Sequence, residues 1–248
     1  MGRRYRPQVD HSHNRQANTP QIQSFWKSPA TLVTGFIGII LLTLPLLFDS
    51  TIQRVISIQA SDVSLSAQEF PFLKQQHCEA QARHLKQDDT LVEIQFADKP
   101  EVIRDTKINN TLFLLGQCQQ SKFDSKKPKS GIGKYPGTSI VSLLERIQII
   151  IVEKRTKGFK NPIVVTITLH EAEPGAGQPK LNFERIQTLV EKITSDRALV
   201  TIMGTNGDLQ SKLSSSLQNN NNTKICAIND IAHCVEWSFE TGRSMSNR

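Results

Sequence analysis

Cysteine, tyrosine and tryptophan are scarce in this chain of 248 residues, which holds four Cys, two Trp and two Tyr. Cys78, Cys118, Cys226 and Cys234 form no Cys-x-x-Cys pair, so neither a zinc site nor a dithiol redox centre is supported. Reduced core cysteines and one or two disulfides both remain open, the second requiring an oxidising compartment. No Gly-x-Ser-x-Gly nucleophile elbow occurs, and no His/Asp/Ser arrangement stands out in its place. Gly131-Ile-Gly133-Lys134 lacks both the hydroxyl residue after its lysine and the preceding strand that a phosphate loop needs. The formal charge of +7 is unevenly spread. Residues 1–48 carry Arg3, Arg4, Arg6, Arg15 and Lys27 against Asp10, and the other 200 residues balance 25 basic with 22 acidic side chains. With no basic stripe interleaved with aromatics, nucleic acid is not an expected partner.

The first 29 residues are polar, with Pro7, Pro20 and Pro29 among Gln, Asn, His11 and His13, a composition that predicts a disordered tail. Residues 30–48 then run 19 positions without a charge. About 20 apolar residues are needed to cross a bilayer core as helix, so this stretch is expected to be a transmembrane anchor. Five basic residues precede it and only Arg54 follows closely, which places the N-terminus in the cytoplasm and the C-terminal domain on the extracytoplasmic side. A cleavable signal peptide is the rival, but the run exceeds the usual signal core and no small-x-small site follows it closely.

From residue 49 to 248, apolar runs alternate with amphipathic stretches. Strands are expected at 54–61, 91–97, 101–103 (a short edge strand), 162–169, 198–203 and 225–228. Helices are expected at 67–86, 111–119 capped by Asn110, 139–157, 183–195, 209–217 and from Asp230 to about 242. Lys122, Lys126, Lys127 and Lys129 mark one long loop at 121–137, by default a solvated charge run. Strands separated by helices of this length predict one α/β domain built on a doubly wound, mostly parallel sheet.

The stretch that organises the function is 55–66. Val55, Ile56 and Ile58 read as a buried strand, and Asp62, Ser64 and Ser66 then bring one carboxylate and two hydroxyls at alternate positions where the strand runs out. In an open parallel sheet, ligands bind beyond the carboxyl ends of strands. Hard oxygen donors suit Mg²⁺ or Mn²⁺. The plainer reading is an Asp/Ser turn satisfying its own backbone. Thr138, in Gly137-Thr138-Ser139, stands at the front of a helix and either joins a shared site or merely caps that helix.

This order of motifs resembles the von Willebrand factor A domain over about residues 52–245. Asp62-x-Ser64-x-Ser66 closes the first strand, Gly137-Thr138 opens the third helix, and Leu169-His170-Glu171 ends the fourth strand. The resemblance implies a Rossmann-like fold, a metal-ion-dependent adhesion site and a protein partner whose acidic residue completes the coordination. The third motif departs from the family pattern. Leu169 stands where the family has Asp, and Glu171, with the same side-chain parity, is the candidate substitute. His170 is weighed as a softer ligand and read as a satisfied polar residue at a strand end. The expected reading is therefore a non-enzymatic, membrane-anchored binding domain with Asp62, Ser64, Ser66, Thr138 and Glu171 around Mg²⁺ or Mn²⁺. A tethered scaffold with a degenerate site is the alternative, and a phosphoryl-transfer hydrolase using Asp62 ranks behind both.

Overall fold

The computed structural model describes residues 53–64, 66–124, 137–173, 175 and 180–245. The expected anchor at 30–48 and the tail before it lie outside these residues, as do Lys126, Lys127 and Lys129 of the lysine run. Among the described residues no helix is long and apolar enough to cross a membrane.

The chain runs β1 (Ile56–Asp62), a 3₁₀ turn (Ser66–Glu69), α1 (Pro71–His84), β2 (Thr90–Phe96), β3 (Pro100–Lys107), α2 (Thr111–Asp124) and α3 (Ile140–Thr156). It continues through β4 (Ile163–Thr168), α4 (Phe183–Thr194), β5 (Ala198–Thr205), α5 (Gly207–Leu217), β6 (Thr223–Ala227) and α6 (Ile231–Ser244). The six strands form one sheet in the order β3-β2-β1-β4-β5-β6. All neighbours are parallel except β3, which pairs antiparallel with β2. The strand order reverses between β1 and β4, the place where open sheets of this kind leave a crevice at their carboxyl edge.

Every residue of β1, β4 and β5 is buried, which explains why β4 and β5 are rich in Val, Ile and Leu, whereas β1 interleaves Ser57, Gln59 and Ser61 with its apolar residues. On one face Ile58, Ile94, Val165 and Val200 meet Leu143, Leu144 and Ile147 of α3, Ile186 and Leu189 of α4, and Leu213 of α5. On the other, Val164 and Met203 meet Leu73 and Ala80 of α1 and Val235 and Phe239 of α6. Burying a side chain of this size contributes roughly 1.5–3 kcal/mol on transfer scales. The second face also holds a polar layer. His77 Nε2 lies 2.8 Å from Thr166 Oγ1, Gln81 Nε2 donates to the same hydroxyl, and Ser57 Oγ donates to Gln81 Oε1 at 3.5 Å. His77 Nδ1 is buried without a partner, and burial pushes the imidazole pKa down to about 3.

Several boundaries differ from the sequence expectation. The strand expected at 101–103 spans Pro100–Lys107, because an edge strand of Glu101, Arg104, Asp105 and Lys107 carries no apolar alternation to reveal it. The helix expected to stop at 119 continues to Asp124, so the long loop begins later. Pro71 does not sit inside a helix starting at 67. The 3₁₀ turn comes first and Pro71 opens α1, where its missing N–H costs nothing. Asp230 occupies the N-cap position of α6 without making a side-chain cap bond. The cysteines pair as Cys78–Cys118, linking α1 to α2, and Cys226–Cys234, linking β6 to α6, and none is free.

Candidate functional site

β1 carries Asp62 to the carboxyl edge of the sheet, opposite Phe96 of β2 and one residue beyond the pairing of Ser61 with Thr168 of β4. The Ser64 N–H donates to Asp62 Oδ1 at 2.9 Å, an Asx turn that folds the chain back at the strand end. That turn brings Ser64 and Ser66 together, their hydroxyl oxygens 3.2 Å apart. The plainer turn reading is thus satisfied by one carboxylate oxygen, and the second is left for something else.

Thr138 meets that second oxygen. Its hydroxyl donates to Asp62 Oδ2 at 3.4 Å, across 76 residues of sequence. Two backbone bonds hold it there: the Thr138 N–H donates to the Glu173 carbonyl at 2.7 Å and the Ser139 N–H to the Ala97 carbonyl at 2.9 Å. Thr138 does not cap α3, because Ser139 is its N-cap, accepting from the Ser142 N–H at 3.3 Å. Thr138 is free of that duty.

Asp62, Ser64, Ser66 and Thr138 are thus linked by one run of contacts. The first, second and fourth are buried, with Asp62 only 8% exposed. Glu171 is half-buried in the connection after β4, and its carboxylate has no hydrogen-bond or ion-pair partner among the described residues. Leu169, at the position where the family pattern has Asp, is fully buried in the core. Asp98, beyond β2, packs against Gly175, whose N–H donates to Asp98 Oδ1 at 3.3 Å. A Cβ at Gly175 would lie 2.9 Å from that oxygen, so a side chain there would push the Asp98 carboxylate aside.

Electrostatics single out Asp62. Burial raises its pKa from 3.8 to about 6, opposed by hydrogen bonds from the Ser64 backbone, the Ser64 side chain and Thr138 and by the charge of His170. No lysine or arginine pairs with it among the described residues. No cluster of three or more His, Cys, Asp or Glu gathers among them either, so any ion here would rely on hydroxyls. One carboxylate and three hydroxyls fit a hard divalent cation that retains part of its water.

His170 follows β4 in the same connection as Glu171. Its ring lies 3.9 Å from the Phe70 ring between centroids, and its Nδ1 is 3.2 Å from the Gly204 carbonyl. No sequence signal announces this, since Phe70 and Gly204 belong to distant connections.

No family model matches the chain, and no curated protein does. Solved structures match its fold. Manganese-loaded TRAP from Plasmodium vivax aligns with a TM-score of 0.51 and 12% identity over 76% of this chain and 74% of that one. A von Willebrand factor type A protein from Catenulispora acidiphila aligns at 0.50 and 10% identity, over 78% of this chain and 43% of that one. The fold is that of a von Willebrand factor A domain. Proximal thread matrix protein 1 from the mussel byssus aligns at 0.50 and 13% identity, over 75% of this chain and 47% of its own. The present chain thus spans less than half the length of the byssus and Catenulispora chains. In this von Willebrand A fold, Asp62 and Thr138 lie at the carboxyl edge, beside the strand-order reversal.

Proposed function

We propose that this von Willebrand A domain is a binding module that holds Mg²⁺ or Mn²⁺ on Asp62, Ser64, Ser66 and Thr138 and docks an acidic residue of a protein partner on that ion. The observation that carries the reading is a buried Asp62 carboxylate with no lysine or arginine partner among the described residues, bracketed by hydroxyls from two separate connections. A buried charge is costly unless paired or metal-bound. Bound there, the ion would supply a positive charge with an open position, while Asp62 anchors it and the neutral hydroxyls leave that charge largely uncancelled. Glu171 is assigned as a supplementary ligand of the same ion. The manganese in the TRAP structure supports the choice of ion by analogy of fold.

The module is placed outside the cytoplasm, anchored by residues 30–48 with the N-terminus inside. The charge asymmetry around that segment supports this orientation, and so does the pairing of all four cysteines. A binding role is preferred to catalysis because no second acid is bonded to Asp62 among the described residues.

A tethered scaffold with an empty site is the second reading, favoured by Leu169 in the place of the third-motif acid. The two separate by thermal melting of the full chain with EDTA or millimolar Mg²⁺. A shift lost in Ser64→Ala supports the cation site, and no shift supports the scaffold.

A further inference from the structure

We propose that His170 is a ligand of the cation held at Asp62, binding through Nε2 and biasing the site toward Mn²⁺ and other borderline first-row ions over Mg²⁺. The inference rests on the cation-site reading above and adds a nitrogen donor that the family's oxygen-only pattern does not contain.

Position comes first. His170 lies two residues past Thr168, which pairs with Ser61, so it leaves β4 beside the turn that carries Asp62. Its carbonyl accepts from the Asn206 N–H at 3.2 Å, fixing the backbone, while Phe70 covers one face of the ring. Phe70 immediately follows the 3₁₀ turn that begins at Ser66, so the hydroxyl connection and the imidazole are packed together.

The tautomer follows from the hydrogen bond. A carbonyl oxygen can only accept, so the contact with the Gly204 carbonyl puts the proton on Nδ1. Nε2 of the neutral ring then carries a lone pair, and it has no partner among the described residues. A ring whose second nitrogen donates to a backbone carbonyl is the usual arrangement of a metal-bound histidine. Gly204 allows the geometry by taking φ +83°, with Leu73 packed where a side chain would stand. Imidazole suits first-row transition ions, whereas Mg²⁺ is met by oxygen and water.

The test is electron spin-echo spectroscopy of the full chain loaded with Mn²⁺, with Mn²⁺ and Mg²⁺ titrations of the wild type, Asp62→Asn and His170→Phe. His170→Phe keeps a ring on Phe70 and removes the nitrogen. Directly bound ¹⁴N is expected in the wild-type spectrum and absent from His170→Phe. The variant should lose about tenfold or more in Mn²⁺ affinity with Mg²⁺ affinity unchanged. A wild-type spectrum with oxygen ligands only, in a protein whose Mn²⁺ binding is abolished by Asp62→Asn, overturns the role of His170 and leaves the cation site standing. Mn²⁺ binding that is absent, or indifferent to Asp62→Asn, overturns both. The wild-type spectrum decides the matter even if His170→Phe folds poorly.

Discussion

Asp62 and His77 are residues whose burial sets measurable pH behaviour, and they act in opposite directions. The folded-state pKa of Asp62, about 6, exceeds its ordinary 3.8. The protonated acid therefore favours folding, a contribution present below 3.8 and lost as pH rises through 6. At roughly 1.4 kcal/mol per tenfold, the ionised group destabilises the ion-free protein at neutral pH by up to about 3 kcal/mol. Asp62→Asn should accordingly stabilise the protein in EDTA at pH 7.5, by about 2 kcal/mol in urea denaturation, while removing any response to Mg²⁺. His77 has the contrary sign: its pKa falls from 6.5 to about 3, so its stabilisation is present above 6.5 and lost on acidification. Between pH 6 and 4 the two effects offset each other in the wild type. Asp62→Asn should unmask His77, giving a loss of about 1.4 kcal/mol per pH unit below 6.5. A flat profile in that variant would mean His77 is hydrated or reorients on protonation.

Among the elements, α2 depends most on a covalent link. It joins α1 through Cys78–Cys118, two cysteines 40 residues apart, while Leu112 and Phe113 stand exposed on its first turn. In the chain-entropy model a loop of that length is worth about 4 kcal/mol. Cys78→Ser combined with Cys118→Ser should lower stability by an amount of that order and raise hydrogen exchange first in α2. The central strands were legible in the sequence because full burial enriches them in apolar and β-branched residues, as at Ile163–Thr168. β3 was largely hidden, since an edge strand carries charges on both faces. The disulfide pairing was not legible either, because it depends on which faces of α1 and α2 meet. At the site, Asp62, Ser64 and Ser66 follow from local spacing alone. That Ser139 rather than Thr138 caps α3, and that His170 meets Phe70 and Gly204, are outcomes of tertiary packing that no local pattern encodes.

At the scale of the whole molecule, the sheet order puts the carboxyl ends of β1 and β4 side by side, and Thr138 and Ser139, just ahead of α3, donate to the Glu173 and Ala97 carbonyls beyond β4 and β2. Function then hangs on whether those oxygens share an ion. Binding to the native state stabilises it, by about 2.7 kcal/mol when the ligand is at a hundred times its dissociation constant. For a domain of this size that corresponds to a rise in melting temperature of roughly 5–10 °C. The most direct measurement is the melting temperature of the full chain in EDTA and in millimolar Mg²⁺ or Mn²⁺, for wild type and Ser64→Ala. A rise of that size in the wild type, absent from Ser64→Ala, is the predicted result. No rise, or an equal rise in both proteins, would contradict the account.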